Sequence, residues 1–62
     1  MLANPKLGQK VQINYKNKTM PLQGKRGEVQ IVGKGKPRNH GIKIDGTLYV
    51  IPCGNLIKQT EG

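Results

Sequence analysis

The sequence of 62 residues predicts one small all-β domain, an antiparallel barrel or sandwich of five short strands. Three observations predict it. Apolar and polar residues alternate in several short runs, as they do in strands that bury one face. Nine glycines and four prolines interrupt the chain too often for long helices. No segment carries apolar residues at helical spacing over ten or more positions.

The apolar runs give the strands in chain order. Three runs alternate, and the fourth is a continuous apolar run, Leu48–Ile51, which is typical of a strand covered on both faces. Pro52 lacks a backbone donor, so the four residues from Pro52 to Asn55 predict a break in the ladder and a short 3-10 turn before the last strand. The predicted strands are residues 10–14, 28–31, 41–45, 48–51 and 56–58.

Asp45-Gly46 marks a hairpin because both residues tolerate positive φ. A two-residue loop would pair Ile44 with Thr47 and Ile42 with Tyr49. A three-residue loop would instead align Ile44 with Leu48 and Ile42 with Val50. The Asp-Gly chemistry favours the first register. The second gives the better apolar face, and it is the register we expect.

The chain is strongly basic. Eleven Lys and Arg residues stand against three acids, for a formal charge of +8 and a pI of about 10.1. A balance of this kind favours a polyanionic partner such as RNA, DNA, an anionic surface or an acidic protein face. Ten of the eleven basic residues fall between Lys6 and Lys43, and many lie in two polar connections, residues 15–27 and 33–41.

Several function classes lack support in the sequence. Cys53 is the only cysteine, so an intramolecular disulfide is excluded, and a reducing compartment such as the cytoplasm is expected. No apolar run has the length of a signal peptide or a membrane span. Paired carboxylates, a nucleophile with its base and metal-ligand spacing are all missing. We therefore expect a non-catalytic protein with no metal, no cofactor and no small-molecule substrate.

The run Leu22–Val29, with glycines at 24 and 27, together with Gly8–Ile13 upstream, resembles the KOW motif. That motif occurs in small SH3-like barrels of ribosomal large-subunit proteins and of transcription elongation factors. The resemblance covers most of residues 7–58 within a single domain, 1–62. It implies an SH3-like barrel, and it places Lys25 and Arg26 beside RNA, with Gly27 as the glycine of the motif's loop. Residues 14–23 and Arg38–Gly41 depart from the family pattern.

These observations lead to one functional hypothesis. Five basic residues form a phosphate-binding face for structured RNA or duplex nucleic acid in a translation or transcription context: Lys25, Arg26, Lys34, Lys36 and Arg38. Possible additional contacts are Lys16, Lys18 and His40, the last of which we expect to be an ordinary loop residue. Only two tyrosines are present, with no Phe or Trp, so phosphate contacts are favoured over base stacking. The alternative is an accessory subunit that docks on an acidic face of a larger protein complex, including photosynthetic-type assemblies.

Overall fold

The computed structural model describes residues 2–36 and 38–59. Within these ranges the chain forms five β-strands and one short 3-10 helix. The strands are β1 (Lys10–Ile13), β2 (Arg26–Ile31), β3 (Asn39–Ile44), β4 (Thr47–Pro52) and β5 (Leu56–Lys58), and the 3-10 helix, η1, is Cys53–Asn55. The predicted all-β class, the five strands and the 3-10 turn before the last strand are therefore confirmed.

All five strands belong to one antiparallel sheet with the spatial order β4-β3-β2-β1-β5. The first strand thus lies between the second and the last, and β4 and β5 form the two edges. Across the described part of the chain these edges are not hydrogen-bonded to each other, so the sheet is open. The predicted barrel stays a prediction.

Pairing lengthens the strands beyond the alternating runs. β2 begins at Arg26 because Arg26 and Gly27 pair with Gln12 and Val11 of β1. The expectation that Pro52 interrupts the ladder is wrong, since Pro52 is the last residue of β4 and lies opposite Asn39. An edge strand has no second neighbour that needs the missing N–H, so it tolerates the proline.

The β3–β4 hairpin adopts the two-residue loop, so the expected three-residue register is wrong. Ile44 pairs with Thr47, and Ile42 pairs with Tyr49. Asp45 has a φ of 49° and Gly46 a φ of 81°, the left-handed conformation at both central positions that a tight hairpin turn requires. The turn chemistry outweighs the apolar pattern, and as a consequence Leu48 and Val50 point away from the core.

One face of the sheet supplies the core. The fully or almost fully buried side chains are Val11, Ile13, Val29, Ile42, Ile44, Ile51 and Leu56. Partly buried residues from the N-terminal segment, the connections and β4 pack against them: Leu2, Tyr15, Leu22, Val32 and Tyr49. Burial of these β-branched and leucine side chains supplies most of the favourable free energy of folding.

The segment before β1 is bound to the sheet. The Leu2 N–H donates to the Cys53 carbonyl oxygen at 3.2 Å, and the Gly8 N–H donates to the Val29 carbonyl oxygen at 2.8 Å. Pro5 between them is buried. Residues before position 7 therefore also pack against the folded chain.

Candidate nucleic-acid interface

The five predicted contact residues lie at the two ends of β2. Lys25 and Arg26 stand at its start, and the other three belong to the connection after its end. We call Lys25 and Arg26 the Arg26 group, and Lys34 and Lys36 the Lys34 group. A strand rises about 3.3 Å per residue, so the two ends of β2, next to which the groups lie, are roughly 16 Å apart. The structure therefore does not bring the five residues into one compact face.

The Arg26 group lies beside the β3–β4 turn. Lys25 Nζ is 3.4 Å from Asp45 Oδ2, and both side chains are exposed. Arg26 is opposite Gln12 on the outward face of the sheet, since its neighbour Gly27 faces the core side with Val11. An exposed ion pair of this kind stabilises the fold little and exchanges readily with a competing anion.

A shallow groove of about 490 Å³ extends this group across the outward face. Its lining residues come from three strands, the β3–β4 turn and the residue after β5: Lys10, Arg26, Gly27, Glu28, Lys43, Gly46 and Gln59. Strand register explains the arrangement, because Lys10 and Lys43 each lie opposite Glu28, on its two sides. Sequence reasoning missed both lysines. Alternation shows that each faces outward, but only the register places them beside Arg26.

Glu28 is the one carboxylate in this groove. Its Oε2 accepts a 2.6 Å hydrogen bond from Lys10 Nζ, and its Oε1 accepts one from Gln30 Nε2 at 3.1 Å. The hydrogen bond from Lys10 and its positive charge lower the pKa of Glu28. The hydrogen bond from Gln30 and the charge of Lys43 also lower it, and desolvation acts in the opposite direction. Glu28 is therefore ionised at neutral pH and offsets one of the three cations around it.

The Lys34 group is exposed at the other end of β2. Neither lysine makes a hydrogen bond or ion pair with the described residues, so their charges face solvent. Arg38, in the same connection, is half-buried and binds the N-terminal segment. Its Nη1 donates to the Ala3 carbonyl oxygen at 3.2 Å and to Asn4 Oδ1. Arg38 thus has a structural role that the sequence did not reveal, and its contact with nucleic acid stays a prediction.

His40 is not a loop residue, and that expectation is wrong. It lies in β3 with its side chain fully buried. Its Nδ1 accepts a 3.0 Å hydrogen bond from the Gly33 N–H, which places the proton of the neutral ring on Nε2. Nε2 has no partner among the described residues. A buried ring cannot reach a phosphate at the surface, so His40 is removed from the candidate contacts.

The remaining predicted positions have simple environments. Lys16 and Lys18 are exposed in the β1–β2 connection, where Lys18 Nζ donates to Asn14 Oδ1 at 2.6 Å. Tyr15 and Tyr49 are half-buried and pack against the core, so neither ring forms a free stacking platform. This leaves charge as the main chemical property of the surface.

Residues 2–36 and 38–59 include one thiol. Cys53 is a half-buried free thiol. These residues include no group of three or more His, Cys, Asp or Glu side chains that could hold a metal ion. The same part of the chain has no helix that is sufficiently long and apolar to cross a membrane.

Comparison of the chain with protein-family profiles, with curated proteins and with solved structures found no match. Its functional assignment therefore rests on the chemistry of the surface.

Proposed function

We propose that this protein is a small non-catalytic, cytoplasmic binding protein that contacts structured RNA or duplex nucleic acid through backbone phosphates. The proposed context is translation or transcription, in keeping with the KOW-like run at residues 22–29. The proposed contacts are the Arg26 group with Lys10 and Lys43 in the groove, and the Lys34 group at the other end of β2.

The excess of exposed positive charge carries this proposal. The chain has a formal charge of +8. Its two described carboxylates, Glu28 and Asp45, each already form an ion pair with a lysine. The other lysines near β2 face solvent, so the surface has a positive field that favours polyanions and speeds their association. Contacts between basic side chains and phosphates supply most of the sequence-independent affinity of proteins for nucleic acid.

The separation of the two groups favours a partner with phosphates in two rows. The ends of β2 are roughly 16 Å apart, a distance of the same order as the width of a B-DNA major groove, about 12 Å, whose two sides are lined by phosphates. A folded RNA or a duplex offers rows of phosphate on this scale in a fixed geometry. A flexible single strand would lose entropy on spanning both groups, and no free aromatic platform compensates for that loss.

An SH3-like barrel is the fold that we propose for the chain as a whole. Its support is the position of β1 between β2 and β5, together with η1 directly before the last strand.

The proposal is tested by fluorescence anisotropy with an RNA hairpin, a DNA duplex and a single strand across a salt series. About five phosphate contacts predict a slope of log K against log salt of roughly −4 to −5 on a duplex. The variants K25Q/R26Q and K34Q/K36Q should each make that slope about 2 smaller in magnitude. The control K6Q/K58Q removes the same charge at two exposed positions and should change the slope by less than about 0.5.

Two results would count against the proposal. Unchanged slopes in K25Q/R26Q and in K34Q/K36Q would show that the Arg26 group and the Lys34 group do not contact phosphate. Equal binding of all three nucleic acids that vanishes near physiological salt would show a generic charge effect, and it would favour the alternative of an acidic protein partner.

A further inference from the structure

The outward face of β4 is apolar and exposed. Leu48 is 51%, Val50 71% and Ile31 of β2 54% accessible. Val50 and Ile31 lie on the two sides of Gly41, which has no side chain to separate them; a Cβ added there would lie 3.0 Å from the Cβ of Ile31. Leu48 lies two residues from Val50 on the same face of β4. We call Ile31, Leu48 and Val50 the β4 strip. Grouped apolar side chains of this kind on a small protein mark an interaction surface.

The same strand has an open backbone edge. β4 pairs with β3 alone within the described residues, so alternate residues direct their N–H and C=O groups away from the sheet. Edge strands are commonly protected by charged side chains, but the five residues from Thr47 to Ile51 carry none. Pro52 protects only the last position. Free backbone groups beside an apolar strip are the two features that strand addition uses.

The charge of the protein selects the occupant. A second copy would bring the same formal charge of +8 to the edge, so like-charge repulsion opposes self-pairing. Lys43 lies directly opposite Leu48, and the Lys34 group follows Ile31 along the chain. The surroundings of the β4 strip are therefore positive, and they complement a segment with negative charge.

We propose that β4 binds an extended, acidic segment of a partner protein as a sixth strand. Backbone hydrogen bonds to β4 supply the pairing, and alternate apolar side chains of the segment pack on Leu48 and Val50, where facing Cβ atoms in paired strands are about 5 Å apart. Acidic side chains between them lie in the positive field of the chain. This adds a protein partner, bound at the β4 edge, to the proposed binding of nucleic acid.

The test uses a capped nine-residue peptide that alternates Val and Glu, added to the full chain without nucleic acid. Saturable binding should shift the NMR signals of the β4 amides and slow their hydrogen exchange. V50T should weaken binding about fivefold, because it replaces a packed methyl group by a hydroxyl. L7T is the matched control, since Leu7 is 68% exposed outside the strands, and it should change affinity by less than about twofold.

Three results of the peptide experiment would overturn the proposal. They are absence of binding, equal loss of affinity in V50T and L7T, and equal binding of a peptide in which Lys replaces Glu. Shifts of the β4 amides that depend on protein concentration without peptide would overturn it as well, because they would identify a second copy as the occupant. None of these results bears on the nucleic-acid test, in which β4 is unchanged.

Discussion

At the scale of single residues, Gly27 shows how one position serves the packing of two strands. A Cβ added at Gly27 would lie 2.7 Å from Ile42 Cγ2 and 2.7 Å from the backbone oxygen of Lys43. The backbone oxygen cannot move without separating β2 from β3. The glycine that resembles that of the KOW loop is thus required by the sheet itself, whether or not RNA lies near it.

The first prediction concerns the stability of glycine variants. Gly27→Ala should lower the free energy of unfolding by about 1–3 kcal/mol, as overpacking of a tight contact does. Gly54→Ala is the control, because no atom lies within 4 Å of its added Cβ and its φ is not positive. It should change stability by less than about 1 kcal/mol. Urea unfolding followed by circular dichroism measures both, and similar values for the two variants would contradict the packing argument.

At the scale of elements, a buried ring holds one end of the β2–β3 connection. The Gly33 N–H donates to His40 Nδ1 at 3.0 Å, and the Cys53 N–H donates to the Arg38 carbonyl oxygen at 2.9 Å. These bonds fix the two ends of the connection that carries the Lys34 group. The position of the two lysines therefore depends on a residue that does not itself reach the surface.

The second prediction concerns hydrogen exchange in this connection. In His40→Leu the Gly33 N–H loses its acceptor, and its exchange should accelerate by about fivefold relative to the Gly8 N–H, the equivalent of about 1 kcal/mol. Gly8 donates to the Val29 carbonyl oxygen, a bond that does not involve His40. The ratio of the two rates, measured by NMR, cancels any change in global stability. A ratio equal to that of the unsubstituted chain would show that the ring does not hold the connection.

At the scale of the whole molecule, the excess of positive charge opposes the compact state. Each of the three acidic residues that takes up a proton adds one charge to the formal +8, so protonation of all three gives +11. Self-repulsion then rises while ion pairs are lost. Lys10 lowers the pKa of Glu28 in the folded chain. Ionised Glu28 therefore stabilises the fold above the ordinary pKa of a glutamate, and this stabilisation is lost as the pH falls through the lowered value.

The third prediction follows from this sign. Stability, measured by urea unfolding, should fall as the pH drops below about 4.3, and raising the salt from about 0.05 M to 0.5 M should reduce the loss. Glu28→Gln lacks the ion pair with Lys10, so it should lose less stability between pH 5 and pH 3 than the unsubstituted chain. Equal losses for the two proteins would show that this ion pair does not contribute.

The sequence by itself determined the class and the number of the elements. Alternation at β1 and β3, the glycines and prolines between the runs, and Pro52 before the last strand predicted five strands and a 3-10 turn because these signals are local. Each depends on the conformation of a few consecutive residues. Net charge is likewise a property of composition, so the prediction of a polyanionic partner needed no fold.

Only the tertiary structure decided how these parts meet. The hairpin register depended on two competing preferences, turn chemistry and apolar pairing, and their balance became visible only in the folded sheet, which leaves Leu48 and Val50 exposed. Burial of His40, the separation of the two basic groups by β2, and the approach of Lys10 and Lys43 to Glu28 all arise from contacts between residues far apart in the chain. Local pattern carries no information about which strands become neighbours, and pairing between strands is what builds this surface.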